Sequence, residues 1–304
     1  MQKLPCPLCR SQTARPVWQK IYSHLTVTTV LCPICGLVYH NPPVEDRDRQ
    51  DLSLSHRELH TDTAIHRRNL QRVGQRVARQ AAFLETVIQP GWRSLEIGCG
   101  LGILSDWLSR QRCVTLGIEP DEQQAKYAAK RFGLKVLQGR FEEVDLDQHF
   151  DFLASSHVIE HIPDPLLFLR RLRALATSRT LLFLETPNIL APKVGPTRVF
   201  SLAHNFYFSP QTLAAALAKT GWQVIRTRIF QRDSFMILAH AAPMREPQPQ
   251  PGHAAEVWRA ILRHRRNYYL YLLFFWRKIP LWRRYWMYRF QDYPGPPLPI
   301  NFSV

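Results

Sequence analysis

The first long regularity along the chain begins near residue 64. Apolar positions Leu70, Val73, Val77, Ala81, Leu84 and Ile88 recur at spacings of three and four. That period predicts an amphipathic helix with arginines on its wet face, and Pro90-Gly91 ends it. From Arg93 to about Ala239 short apolar runs alternate with helical patterns. Strands are expected at Ser94–Ile97, Val114–Glu119, Lys135–Leu137, Phe150–Ser155, Thr180–Glu185, Trp222–Arg228 and Phe235–Ala239. Helical stretches fall near 103–110, 122–131, 165–176 and 210–219. Such alternation predicts an α/β fold, a doubly wound parallel sheet covered by helices on both faces. No helix separates the last two strands, so they are expected to pair antiparallel.

The flanks read differently. Residues 1–43 hold a β-rich stretch, Ile21 to Val30, and end at Asn41-Pro-Pro43. Residues 44–63 are polar with alternating charges, a linker pattern, and the α/β region takes 64–242. Residues 243–252 form a Pro-rich linker. Residues 253–304 make a basic, aromatic tail expected to be helical, with four of the eight tryptophans and ten Lys/Arg against three Asp/Glu from residue 244 onward.

Composition narrows the classes. At 304 residues and 45% apolar, the chain can bury a sizeable core, which excludes wholesale disorder. The longest apolar run, Tyr268 to Trp276, has nine residues, about half of what a spanning helix needs. Met1 to Cys6 lacks the apolar stretch of a signal peptide, so a cytoplasmic protein is expected. A net charge of +16 fits an anionic partner, whether nucleic acid, lipid surface or acidic glycan, and equally fits plain solubility.

Four of the six cysteines form two knuckles, Cys6-Pro-Leu-Cys9 and Cys32-Pro-Ile-Cys35-Gly36. Two residues between thiolates let both reach one tetrahedral ion, and two such turns complete the shell. A structural Zn²⁺ in a small zinc ribbon is expected, with paired disulfides as the alternative in an oxidising compartment. His24 and His40 read as exposed or packing residues rather than ligands, and Cys99 and Cys113 stand apart.

The sharpest chemical signal is Leu95-Glu96-Ile97-Gly98-Cys99-Gly100-Leu101-Gly102, between a strand and a helix. Glycines let the backbone turn tightly and approach a ligand. The spacing is G-x-G-x-G rather than the dinucleotide G-x-G-x-x-G, and Glu96 precedes it. A carboxylate there repels a pyrophosphate and suits a cationic ligand. A second acid, Glu119 in Gly117-Ile-Glu-Pro120, closes the next strand about where a ribose diol would lie.

With these residues the chain resembles the class I S-adenosylmethionine-dependent methyltransferases, from about Ser94 to Ala239. Further carriers of the likeness are Asp151 to Pro165, Glu185-Thr-Pro-Asn188 and Phe206-Tyr-Phe-Ser-Pro210. It looks most like the ubiquinone-methyltransferase-like branch, whose members often carry a two-knuckle zinc ribbon. The resemblance implies a Rossmann-like, seven-stranded, mostly parallel sheet and S-adenosylmethionine as cofactor. It places the amino-acid part of the cofactor at Glu96, Gly98, Gly100 and Gly102, and the ribose at Glu119. Relatives usually have an Asp near the adenine in the loop after the third strand. Here that loop reads Gln138-Gly139-Arg140, leaving Phe141 and Glu142 to share the role.

The candidates for chemistry are His157, Glu160 and His161 at the end of the fourth strand, where open α/β sheets place ligands, with His157 also within reach of the cofactor. His161 as general base, a divalent metal cluster, and histidines that merely cap the loop are three open readings. Some relatives bind a divalent ion with E-x-x-E-H. This chain has His157 in place of the first acid, and His204 as a further possible ligand. The tail could pack over the core, lie on the inner face of a membrane or bind nucleic acid. The expected function is O-methylation of a hydroxyl on a glycan, a lipid-linked intermediate or a small metabolite. An RNA methyltransferase and a non-catalytic adaptor on a methyltransferase scaffold are the alternatives.

Overall fold

The computed structural model of the protein describes residues 4–22, 25–44, 67–192, 195–230 and 234–276. The polar linker at 45–63, His24 and the last part of the tail, from 277 on, lie outside them.

Seven strands form the main sheet, β4 (Arg93–Ile97), β5 (Val114–Glu119), β6 (Lys135–Gln138), β7 (Phe150–Ser156), β8 (Ala176–Pro187), β10 (Trp222–Ile229) and β11 (Ser234–Ala241). Their spatial order is β10-β11-β8-β7-β4-β5-β6. The pairs from β8 through β7, β4 and β5 to β6 are parallel, while β10–β11 and β11–β8 are antiparallel. The strand β8 begins at Ala176, earlier than the apolar run at 180 suggests, because Thr180 Oγ1 donates to Phe150 O and Thr177 N donates to Thr180 Oγ1. Those bonds give the polar start of the strand partners of its own.

Helices cover both faces. On one, α1 (Arg67–Leu84) and α2 (Ile103–Arg110) pack Val77, Phe83, Leu84, Leu104 and Leu108 on Phe152, Phe183, Met236 and Leu238. On the other, α4 (Pro165–Ala174) and α6 (Pro210–Lys219) pack Phe168, Leu169, Leu172, Leu213 and Leu217 on Leu153, Leu182, Leu184 and Phe235. Helix α3 (Glu122–Phe132) lies along β5 and β6. The starts are set locally: Asp121 and Asp164 accept from Gln124 N and Leu167 N, and Ser209 with Thr212 forms a capping box before Pro210. Each cap satisfies amides that the first helical turn leaves without a partner.

The ribbon is β1 (Arg15–Tyr22), β2 (Leu25–Leu31) and β3 (Val38–His40), and its sheet continues into the α/β region. Strand β9 (Phe206–Tyr207) pairs antiparallel with β3, matching Val38 to Tyr207 and Tyr39 to Phe206. Cys6, Leu8, Cys32, Leu37 and Tyr39 share one hydrophobic core with the α4–α6 face, and Lys219 Nζ donates to Leu8 O at 2.9 Å. A four-residue helix, α5 (Pro196–Val199), precedes β9.

The first part of the tail is α7 (His253–Trp276), which packs back over the ribbon. Val257 and Ile261 join Val17, Leu31, Val38 and Tyr207 in one cluster, and the Arg15 guanidinium sits 3.6 Å over the Trp258 ring. Among the described residues no helix is long and apolar enough to cross a membrane.

Candidate active site

The loop between β4 and α2 is shaped by glycines in the left-handed region, with φ of 69°, 53° and 74° at Gly98, Gly100 and Gly102. Gly98 N and Cys99 N donate to Ile118 O, which ties the loop to the end of β5. A Cβ at Gly98 would lie 2.4 Å from Val158 Cγ2, and one at Gly102 would lie 2.6 Å from Ala128 Cβ. At Gly100 it would meet only Gln124 Oε1, at 3.3 Å. The first and third glycines therefore serve packing, and the second keeps a surface open for a ligand. Gly98→Ala should cost about 2–4 kcal/mol, from left-handed strain and overpacking together. Chemical denaturation measures this, and Val158→Ala in the same chain should restore part of the loss.

A cavity of about 350 Å³ opens beside this loop, a size suited to a small ligand. Glu96, Gly98, Gly100, Asp121, Gln124 and Ser156 line it from the sheet side, and Arg72, Arg76 and Gln80 from α1. Glu96 is buried, its Oε2 accepting from Ser105 Oγ at 2.5 Å. Burial pushes its carboxyl up to about 8, against the pull of that hydrogen bond and of the Arg76 charge. A group so placed gains by meeting a cation.

Glu119, also buried and raised by burial, accepts from Gly100 N at 2.8 Å and Asp121 N at 2.9 Å. It clasps the glycine loop from behind Gly100 and Asp121, which line the cavity, and is not itself among the lining residues, while keeping lone pairs on both oxygens. Phe141 is placed differently, packed edge-on against Phe168 with the Arg171 guanidinium 5.2 Å over its ring. It does not line the cavity described above.

The other half of the site lies after β7. His157 has a left-handed φ of 57°, unusual for a residue with a Cβ. Its amide donates to Glu185 O, and its Nδ1 lies 3.2 Å from Glu160 Oε1. Glu160 is buried, and its Oε2 accepts from Thr186 Oγ1. Burial alone would raise this carboxyl, but the imidazoles of His157, His161 and His204 outweigh it and hold the group down at about 2. Its Oε1 is close to His157 without hydrogen-bond alignment, and remains a buried acceptor with no donor.

His161 Nδ1 lies 2.8 Å from Ala203 O, a carbonyl, so Nδ1 is the protonated nitrogen and Nε2 carries the lone pair. The His204 ring stands 4.7 Å from that of His161, and burial lowers it to about 4, so it is neutral near pH 7. Donor atoms of Glu160, His161 and His204 lie within 4.8 Å of one another, while His157 stands outside that set. One carboxylate and two imidazoles are a donor set that a divalent ion with open positions would accept.

Gln80, Ser156, Ser234 and Glu185 form a buried polar chain beneath the cavity. Gln80 Nε2 donates to Glu185 Oε2 at 2.6 Å and to Ser156 Oγ at 2.9 Å, and Ser234 Oγ donates to Glu185 Oε1 at 2.6 Å. Gln80 Oε1 and Arg76 Nε are buried without a partner, and such atoms on a cavity wall favour a polar ligand. Sequence reasoning missed Arg72, Arg76 and Gln80. Their signal was the i, i+4, i+8 stripe of long polar residues running beside the apolar face of α1.

The four cysteine sulfurs at the ribbon lie within 4.8 Å of one another, with Cys6–Cys35 at 3.6 Å and Cys9–Cys32 at 3.4 Å. A tetrahedron with 2.3 Å arms has edges of about 3.8 Å, so the four thiols fit one Zn²⁺.

Comparison with known proteins gives the site its relatives. A family model described as a methyltransferase domain matches residues 65–227. A ubiquinone biosynthesis O-methyltransferase of Bradyrhizobium diazoefficiens is 33% identical over 103 residues, covering 32% of this chain and 41% of the relative. One from Coxiella burnetii is 28% identical over 123 residues, covering 37% of this chain and 53% of the relative. The chain thus spans about two fifths to half the length of these curated relatives. Among solved structures, the magnesium protoporphyrin IX methyltransferase of Synechocystis PCC 6803 aligns with a TM-score of 0.47 at 19% identity, covering 61% of this chain and 92% of that one.

Proposed function

The chain belongs to the methyltransferase-domain family, and from that premise we propose that it methylates a hydroxyl group with S-adenosylmethionine as donor. The observation that carries this reading is a buried, cation-seeking Glu96 at a glycine-opened cavity, with Glu160, His161 and His204 grouped beyond the end of β7. The relatives named above are called O-methyltransferases, which supports oxygen as the acceptor atom and a small molecule as its bearer.

When bound, the cofactor supplies a methyl group on a sulfonium, open to in-line displacement. In this reading Glu96 holds its ammonium, Gly100 leaves room for its backbone, and Glu119 meets its ribose. His161 Nε2 takes the proton of the acceptor hydroxyl as the oxygen becomes nucleophilic, and Ala203 O keeps the ring in the tautomer that can do so. The Glu160 carboxylate, ionised at neutral pH, stabilises the imidazolium that results.

A second reading is favoured by the donorless Glu160 Oε1, which, with His161 and His204, would hold a divalent ion that lowers the acceptor hydroxyl's pKa. His161→Gln separates either role from cofactor binding. The turnover of an accepted hydroxyl should fall about 10²–10⁴-fold, the range of a lost general base. The dissociation constant for S-adenosylmethionine, measured by calorimetry, should stay within about twofold. Turnover within twofold of wild type would remove His161 from the chemistry, and loss of wild-type turnover on chelation that Mg²⁺ or Mn²⁺ reverses would favour the ion.

A further inference from the structure

One histidine of the ribbon joins it to the chemistry through its side chain. His40 ends β3 and is buried, and its ring bridges two parts of the molecule. On one side Nδ1 lies 3.0 Å from Thr29 Oγ1 within the ribbon. On the other, Nε2 lies 3.0 Å from Ser201 O, 161 residues along the chain. A carbonyl can only accept, so Nε2 carries the proton and Nδ1 accepts from the threonine hydroxyl.

Ser201 O is the anchor of a tight turn. It accepts from His40, from Tyr207 OH at 3.2 Å and from His204 N at 3.3 Å. Inside that turn lies Ala203, whose carbonyl accepts from His161 Nδ1. The residue after the turn, Asn205, is bonded on all sides. Its carbonyl accepts from His40 N, its amide donates to Glu160 O, and its Oδ1 accepts from Val44 N. Hydrogen bonds at Ser201 O, Ala203 O and Asn205, joined by the backbone of residues 201–205, therefore link Thr29 and His40 of the ribbon to the imidazole of His161 and the backbone of Glu160.

We infer that His40 is a positioning residue for the proposed acceptor-side histidine. By clamping Ser201 O it fixes the 201–204 turn, and that turn aims Ala203 O at His161 Nδ1 and so selects the tautomer with its lone pair on Nε2. The ribbon is in this way a structural wall of the active site as well as a metal-binding module. A neutral imidazole has two tautomers close in energy, and one well-aligned acceptor favours one of them about fivefold, enough to make it dominant. Without the His40 ring, Ser201 O keeps its bonds from Tyr207 OH and His204 N, so the turn stays folded but loosens and the preference weakens. The chemical role of His161 rests on the function proposed above, but its tautomer does not and is read independently of turnover.

The test is long-range ¹H–¹⁵N NMR of ¹⁵N-histidine-labelled full chain at pH 7.5, the His161 signals assigned with His161→Gln. Wild type should show His161 protonated at Nδ1. In His40→Ala both ring nitrogens should move toward averaged shifts, while affinity for S-adenosylmethionine changes less than about twofold. Val30→Ala, a cut in the ribbon core beside Thr29 that removes none of the clamp's hydrogen-bonding groups, should leave the His161 pattern as in wild type. If His40→Ala does not fold, Thr29→Val, which removes the hydroxyl that holds the His40 ring, should give the same shift to a smaller degree. An unchanged His161 pattern in the His40 or Thr29 variant, or an equal change in Val30→Ala, would overturn the inference. Failure of wild type to bind S-adenosylmethionine would instead overturn the methyltransferase reading and leave the tautomer result standing.

Discussion

Replacing Cys32 with Ser, or stripping the proposed Zn²⁺ with a chelator, should lower the unfolding midpoint of the whole chain by about 10–20 °C. A ribbon on a free tether would melt alone and leave the α/β region untouched. Here Cys6, Cys32 and Cys35 share a core with α4 and α6, and β3 is laddered to β9. A Cβ on Gly36, beside the second knuckle, would lie 2.8 Å from the His253 ring, so α7 leans on the knuckle too. Structural Zn²⁺ in isolated fingers contributes about 10–16 kcal/mol of apparent binding energy. If about 8 kcal/mol of that reaches the global transition, an unfolding entropy of about 2.1 cal/mol/K per residue gives a shift of the stated order. Calorimetric scans of holo, chelated and Cys32→Ser protein would measure it. A separate low-temperature transition with the main one unmoved would show that the ribbon is energetically independent.

Glu96→Gln should weaken S-adenosylmethionine binding by about 10–100-fold, since a hydrogen bond between charged groups contributes about 1.5–3 kcal/mol. It should also abolish a pH dependence. Burial raises this carboxyl from the usual range to about 8, so the unliganded protein holds it protonated at pH 6. A ligand ammonium selects the carboxylate, so affinity in wild type should rise up to about tenfold per pH unit from 6 to 7. For folding the sign is opposite. A carboxyl raised in the native state lends stability that is full below its unfolded value and is lost as pH climbs toward about 8. At pH 8 the neutral amide of Glu96→Gln removes that desolvated charge, so the variant should be more stable than wild type while binding worse. Titrations at two pH values, with denaturant melts beside them, would resolve both effects. A pH-independent wild-type affinity would mean that Glu96 does not meet the cation.

What the sequence disclosed and what it withheld divide by range. The glycine loop, its preceding acid and the alternation of strand and helix are local patterns, and the seven-stranded sheet with its antiparallel edge follows from them. The knuckles are local too, and their sulfurs converge as the spacing requires. The polar network of Gln80 joins residues 105 positions apart, and the His40 clamp joins residues 161 apart. No periodicity records such pairs. His40 reads from the sequence as an exposed or packing histidine rather than a ligand, and it is buried. The contact with Ser201 comes from β3–β9 pairing, and β9 is a two-residue strand too short to leave a pattern. Phe141, which the family resemblance gives a share with Glu142 in holding the adenine, is buried with its ring against Phe168.

The measurement that bears most directly on the account is calorimetric titration of the full chain with S-adenosylmethionine, beside Gly100→Val. At Gly100 an added side chain meets little but Gln124 Oε1 and projects into the cavity, so the variant should stay folded, at about 1–2 kcal/mol of left-handed strain. The account predicts saturable, single-site binding in wild type and none in Gly100→Val. No heat of binding from folded, zinc-loaded wild type, or equal binding in both proteins, would contradict it.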